Sequence, residues 1–255
     1  MKRIKIGMFG FGRTGRLVAA EFIKDDKFHL EWVVRKHGSD NHKYASRLLG
    51  YEHDYGMIFS VEEINDSFFK ENQVDIIVDF SDSSGVQYYK GAAEAGIKII
   101  SAISRYETKD QELLHSLGRK VAVLHSPNIT LGINILLVAS QIIQKIAPHA
   151  DIEIVEEHFK GKKEVSGTAM KIANFLGLDD KEHINSIRVG GIVGHHEVIF
   201  GMPHQTIRLT HDSISRAAFG QGAIFAAMFL KDQPEGIYSM ENIVSEMFSK
   251  HRPVY

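Results

Sequence analysis

The chain has 255 residues, 44% of them hydrophobic and 24% charged, which is enough for one large core or two modest ones and marks a globular protein. A formal net charge of −2 argues against bulk binding to nucleic acid, and the absence of cysteine excludes disulfides, thiolate metal sites and cysteine nucleophiles. The first residues, MKRIKIGMFGFG, lack the apolar core and cleavage site of a signal peptide, and no apolar run is long enough to span a bilayer, so a cytoplasmic protein is expected.

Residues 3–9 read as a buried strand, which Gly10-Phe11-Gly12-Arg13-Thr14-Gly15 turns into a helix carrying Leu17, Val18, Phe22 and Ile23. This is a G-x-G-x-x-G motif in the strand–turn–helix context that a dinucleotide site needs. Gly10 permits the tight turn, Gly12 lets the backbone approach a pyrophosphate, and Gly15 lets the helix pack closely on the strand. The next strand, at 29–34, runs into Arg35-Lys36-His37-Gly38-Ser39, where a site for NAD usually carries a carboxylate for the ribose 2′-hydroxyl. Arg35 and Lys36 suit a 2′-phosphate instead, so NADPH is the expected cofactor, with NADH as second choice. The alternative is a solvated charge pair at a turn.

Apolar, β-rich runs at 74–80, 97–102 and 120–124 alternate with helical patterns at 84–95 and 108–117, the signature of a parallel sheet covered on both faces. From about Asn128 the pattern changes. A long apolar helix at 131–146 leads into a strand from Asp151, and strands at 186–193, 195–200 and 206–210 follow one another without helices. Such a run implies a mostly antiparallel sheet, whose open face is expected to join another subunit. The helix at 216–230 should pack back on the first domain. The expected fold is therefore α/β: a Rossmann-like domain of residues 1–127 and 217–255, and an α+β domain of residues 128–216 for substrate binding and oligomerisation.

The stretch 151–169, DIEIVEEHFKGKKEVSGTA, carries the chemistry. Ile152, Ile154 and Val155 alternate with Asp151, Glu153 and Glu156, a half-buried strand that delivers His158 to its end. Lys160, Lys162 and Lys163 follow, and Ser166 and Thr168 stand where a helix begins ahead of Met170, Ile172, Ala173, Phe175 and Leu176. A basic loop beside a helix start attracts carboxylates and phosphates, so a small dianion is the expected ligand. The alternatives are a strand-end His158 satisfied by Glu156 or Glu157, and lysines on a solvated loop. His195, His196, His204 and His211 are numerous but lack a close i, i+4 carboxylate–histidine arrangement, so no metal is expected.

Taken together, these residues resemble the 4-hydroxy-tetrahydrodipicolinate reductase (dihydrodipicolinate reductase) family over nearly the whole chain. The likeness rests on Gly12-Arg13-Thr14-Gly15-Arg16, Val78-Asp79-Phe80-Ser81, Pro127-Asn128 with Gly132 and Asn134, and the His158 loop. Ser186-Ile187-Arg188, Gly191-Ile192-Val193-Gly194 with His196-Glu197, and Thr210-His211 with Ser215-Arg216 and Phe219 agree with it. The resemblance implies reduction of a cyclic imine dicarboxylate by NADPH or NADH in lysine and diaminopimelate synthesis, by a homo-oligomer, tetramer or dimer. It implies a catalytic pair, His158 and Lys162, and a substrate-binding group of Phe159, Ser166, Gly167 and Thr168. It also implies cofactor contacts at Gly10 to Gly15, Arg35, Lys36, Phe80, Ser101, Ala102, Ile103, Ser126, Pro127, Asn128 and Ile129.

The departures from the family pattern lie near the expected substrate. Phe159 replaces the second histidine of a His-His pair, the loop is one residue short and lacks a proline before Ser166, and Glu164 stands where Asp is usual. The family's Gly-Thr-Thr-Gly at a central strand end is here Ser101-Ala102-Ile103-Ser104, without the two threonine hydroxyls; Ser101 or Ser104 is a candidate to compensate. Phe9 falls where the family's first glycine would. These differences keep open a dehydrogenase for another small amino or imino acid, and a nucleotide-sensing protein without chemistry.

Overall fold

The computed structural model describes residues 2–36, 38, 40–65 and 67–250. His37 and Ser39 of the basic turn thus lie outside the described residues. The chain divides into two compact units, one running to Thr130 and resuming at Phe219, the other Leu131–Ala218.

The first unit opens with β1 (Ile4–Phe9), α1 (Arg13–Lys24), β2 (Phe28–Arg35), α2 (Ala45–Leu48), β3 (Met57–Ser60) and α3 (Phe68–Glu71). It continues through β4 (Ile76–Asp79), α4 (Gly85–Tyr89), β5 (Lys98–Ser101), α5 (Thr108–Leu117) and β6 (Ala122–His125). The segment expected as one helix at 84–95 tightens after α4 into a 3₁₀ stretch, Lys90–Ala95. The central strands are short and buried on both faces, as IIVD in β4 and KIIS in β5 show, which is what helices on both sides of a parallel sheet require. Phe9, Trp32, Phe68, Phe69 and Tyr89 fill one side of that sheet with edge-on aromatic contacts.

The second unit consists of α6 (Leu131–Ile146), β7 (Asp151–His158), α7 (Gly167–Leu176), α8 (Asp180–His183), β8 (Ile184–Arg188), β9 (His195–Met202) and β10 (Gln205–Asp212). Its sheet has the order β10-β9-β7-β8. β9 pairs antiparallel with both β10 and β7, but β8 runs parallel to β7 because α7 and α8 stand between them as a crossover. The strand expected at 186–193 is accordingly displaced to Ile184–Arg188. One face packs under α6 and α7 through Ile133, Leu137, Ile154, Ile172, Val198 and Phe200.

After Phe219 the chain belongs to the first unit again, with α9 (Ala218–Leu230), β11 (Gly236–Tyr238) and α10 (Met240–Lys250). The completed sheet has the order β11-β6-β5-β4-β1-β2-β3, with every pairing parallel. The order reverses between β1 and β4, the switch point at which such sheets open a crevice at their carboxyl ends. No helix among the described residues is long and apolar enough to cross a membrane.

Candidate active site

The glycine turn after β1 does what its spacing predicts. Gly10 has φ +92°, and a β-carbon there would lie 2.6 Å from the Phe80 carbonyl; one on Gly15 would lie 2.2 Å from the carbonyl oxygen of Gly10. At Gly12 a β-carbon would meet nothing within 4 Å, and Gly12 caps α1 without a side-chain bond. The first amides of α1, on Arg13 and Thr14, thus stand at an open helix N-terminus beside free space, which is what a pyrophosphate needs.

A cavity of about 290 Å³ adjoins this turn, lined by Gly10, Phe11, Gly12, Arg35, Lys36, Val61, Phe80, Ser81 and Tyr88, among others. Arg16 and Arg35 both stack on the Phe11 ring, at 5.4 and 5.9 Å from its centroid. Arg35 and Lys36 are not free cations: Arg35 is paired with Asp40, and Lys36 lies 3.4 Å from Asp82. The sequence reading does not foresee these two carboxylate partners. A second crevice of about 470 Å³ is lined by Thr14, Phe80, Ala102, Ile103, Ser104, Arg105, Pro127, Asn128 and Phe219. The side chains of Ser101, Ser126 and Ile129 are fully buried and withdrawn from it, so only Ser104 of the two candidate serines reaches its wall.

In the second unit, β7 turns a carboxylate inward. The buried face of this strand carries Ile152, Ile154, Glu156 and His158, so Glu156 lies on the core side, contrary to the alternation expected from its charge. Arg188 forks onto both oxygens of Glu156, at 2.9 and 2.5 Å, while the Ser186 hydroxyl donates at 2.7 Å and the Ser166 amide at 3.2 Å. Burial alone would push the Glu156 carboxyl up; Arg188 and then the neutral donors outweigh it and bring the pKa to about 2. Glu156 is therefore ionised and can only accept, which fixes the hydrogen of His158 on Nδ1, 2.5 Å from the carboxylate. His158 Nε2 is left bare, facing Gly194, where an added β-carbon would lie 3.2 Å from it. Burial, reinforced by the nearby charges of Lys162 and Arg188, holds the His158 pKa below its ordinary value despite Glu156.

Arg188 also fastens the basic loop, donating to the Lys162 carbonyl at 3.0 Å and the Glu164 carbonyl at 2.9 Å. Of the three loop lysines, Lys162 alone is half-buried, and its charge reaches His158. Phe159 is 46% exposed at the same loop. Ser166 is buried: its hydroxyl caps α7 by accepting from the Ala169 amide at 3.5 Å and meets His196 Nε2 at 2.8 Å. The groups that α7 offers to an anion are thus the first amides, on exposed Gly167 and half-buried Thr168, rather than the Ser166 hydroxyl. His196 lies edge-on to His158 at 5.4 Å, and burial depresses it to about 3, so it is neutral. Of the four histidines considered for a metal, His196 and His211 are cross-strand partners with His195 beside them, paired with Asp212, while His204 is at the opposite tip of the hairpin between β9 and β10. Among the described residues, no group of three or more ligating side chains is placed to hold a metal ion.

Comparison with known proteins follows the same division. The family model for the N-terminus of dihydrodipicolinate reductase matches residues 4–129, and that for its C-terminus matches residues 132–244. The chain belongs to the dihydrodipicolinate reductase family. The 4-hydroxy-tetrahydrodipicolinate reductase of Thermosipho africanus is 34% identical over 185 residues, covering 72% of this chain and 84% of that one. Its counterpart from Caldanaerobacter subterraneus subsp. tengcongensis is 32% identical over 198 residues, covering 69% and 79%. Among solved structures, a dipicolinate-bound dihydrodipicolinate reductase from Paenisporosarcina sp. TG-14 superposes with a TM-score of 0.78 at 19% identity, covering 95% of this chain and 100% of that one. Membership makes the first unit a pyridine-nucleotide-binding fold and the chain an oxidoreductase. The sequence places Arg188 in a family motif alone, weighs His196 also for a metal, and sets Glu156 among the outward acids of β7 while naming it as an alternative partner of His158, the pairing that the structure contains. A strict period of two along β7, applied without regard to charge, is the signal that places Glu156 beside His158.

Proposed function

We propose that this chain reduces 4-hydroxy-tetrahydrodipicolinate to tetrahydrodipicolinate with NADPH, in the synthesis of diaminopimelate and lysine. The observation that carries the reading is the Glu156–Arg188 mount, which holds His158, Lys162 and the start of α7 around one loop in a chain that both family models match. The first unit fits the nucleotide on its own evidence, with open space at Gly12 and a crevice on either side of the switch point. Gly10 to Gly15 would take the pyrophosphate, Phe11, Arg35 and Lys36 the adenosine half with its 2′-phosphate, and Phe80, Ala102, Ile103, Pro127 and Asn128 the nicotinamide half. When bound, the nucleotide supplies two electrons to the electron-poor ring of the substrate.

The chain's own residues do the remainder. The amides of Gly167 and Thr168 bind one carboxylate at the positive end of α7. Lys162, the half-buried lysine of the loop and the one whose charge reaches His158, neutralises charge that develops on the ring nitrogen or carbon and donates the proton. His158, neutral and with Nδ1–H held by Glu156, presents bare Nε2 as an acceptor that orients the substrate or passes on a proton. Phe159 places an apolar ring where the family has a second imidazole, which favours a ligand held by fewer polar contacts. An oligomer of identical cytoplasmic chains belongs to the same proposal, supported by Val155, Ile187 and Ile199 on the outer face of the second sheet.

The test is a coupled assay that supplies freshly made 4-hydroxy-tetrahydrodipicolinate and follows nicotinamide oxidation. Wild type should turn over, and Lys162→Ala should lose roughly 10²- to 10⁴-fold in kcat with its melting temperature unchanged. No turnover by wild type with either NADPH or NADH would end this reading.

A further inference from the structure

The segment that follows β5 is where this chain replaces the family's two threonines, and the structure shows what stands in their place. Asp79, at the end of β4, is fully buried and accepts from the Ser81 amide at 2.9 Å and the Ser81 hydroxyl at 2.5 Å through Oδ1. Its Oδ2 accepts from the Tyr89 hydroxyl at 2.8 Å. With the Tyr89 proton committed to Asp79, the Tyr106 hydroxyl, 3.4 Å away, can only donate to the Tyr89 oxygen. The Ser101 hydroxyl, 2.7 Å from Tyr106, then donates to Tyr106, and Ser101 Oγ accepts from the Ile103 amide at 3.4 Å. A one-way chain of donors thus runs from the Ile103 amide through Ser101, Tyr106 and Tyr89 to the Asp79 carboxylate. Burial raises both phenols above their ordinary value, so neither loses its proton at neutral pH.

The next peptide, whose carbonyl Ile103 supplies, is held as well. His125 Nε2 lies 3.3 Å from the Ile103 carbonyl, and its ring stands edge-on to Tyr106 at 5.3 Å. Ile103, Ala102, Ser104 and Arg105 line the second crevice, over the ends of β4, β5 and β6. In a sheet of this order that is the side of the switch point opposite the adenosine half. We propose that Asp79, Tyr89, Tyr106 and Ser101 form a positioning device that holds the 102–105 segment in shape for the nicotinamide half of the nucleotide. Tyr106, in the loop before α5, is its central member, and with Tyr89 of α4 it supports the segment where the family pattern carries two threonines. The inference rests on the nucleotide reading above.

Tyr106→Phe removes one hydroxyl and keeps the ring. Binding of NADPH and of 2′,5′-ADP, which carries only the adenosine half, is measured by calorimetry alongside the melting temperature. The dissociation constant for NADPH should rise roughly five- to tenfold, as loss of one buried hydrogen bond predicts, with that for 2′,5′-ADP unchanged. Ser101→Ala should give the same split, and the double variant should lose less than the product of the two single losses, because the residues act in series. Unchanged NADPH binding, a parallel rise for both ligands, or independent losses in the double variant would each overturn the proposal. Wild type that binds neither ligand would instead overturn the nucleotide reading itself, so the two failures are distinct.

Discussion

Asp79 at the end of β4 and Glu156 near the end of β7 are both buried completely, yet their carboxyl pKa values move in opposite directions. Burial pushes Asp79 up to about 6, against hydrogen bonds from Ser81 and Tyr89 that pull it down but carry no charge. Glu156 suffers burial too, but a guanidinium forked onto both oxygens takes it down to about 2. Neutral hydrogen bonds do not offset the burial of Asp79, whereas an opposite full charge in bidentate geometry more than offsets that of Glu156. The two regions differ accordingly. Unit two holds a fixed charge pair on which the basic loop is mounted, and unit one holds a polar chain ending in an acid that titrates near pH 6.

The largest effect should come from breaking the charged site. Glu156→Ala leaves the Arg188 guanidinium without its counter-charge and should cost about 3–5 kcal/mol in unfolding free energy, measured by urea titration. A cost under about 1 kcal/mol would mean that Arg188 swings out to water and that the pair does not carry the loop.

The next effect separates the two acids by pH. Asp79 has a folded pKa above its unfolded value, so the stability it contributes is full below about pH 4 and is lost as the pH rises through 6. A shift of this size corresponds to about 3 kcal/mol. Between pH 4 and 7 the unfolding free energy of Asp79→Asn should therefore gain on wild type by about that amount. Glu156 has the opposite sign: its contribution is present above about pH 4.5 and lost as the pH falls toward 2, so wild type should weaken there while Glu156→Gln responds less. Parallel curves for wild type and Asp79→Asn would show that Asp79 titrates as an ordinary surface acid. The smallest effect is expected at the nucleotide end. Arg35→Ala should raise KM for NADPH roughly three- to tenfold while leaving KM for NADH nearly unchanged, a modest factor because Asp40 already occupies the guanidinium. Equal effects on both nucleotides would remove Arg35 from the 2′-phosphate.

Much of this molecule is legible in its sequence where the signal is local. The spans expected at 108–117 and 131–146 coincide with α5 and α6, because sustained apolar spacing marks a helix, and the glycine turn was readable because each glycine answers a distinct steric demand. β3 and β11 escaped notice because four and three residues are too few to establish a period. α10 carried a readable apolar stripe through Met240, Ile243 and Val244 that was passed over. At the site, the loop by itself marks His158, three lysines and the α7 start, and the family resemblance is what singles out Lys162. Glu156 is legible as a candidate partner of His158 but not as a buried acid, because the arginine that makes its burial tolerable lies on another strand. Tyr89 and Tyr106 gave no signal at all: each is one more aromatic in an apolar stretch until the sheet brings Asp79 and Ser101 alongside.

The chain leaves the first unit at Thr130 and re-enters at Phe219, and within that unit a β-carbon on Gly222 would stand 2.1 Å from the carbonyl oxygen of Ile129. Departure and return are neighbours. The chain between Thr130 and Phe219 is therefore an insertion made at one point of the first unit, which contributes no strand to the seven-stranded sheet and can vary in length without re-routing it.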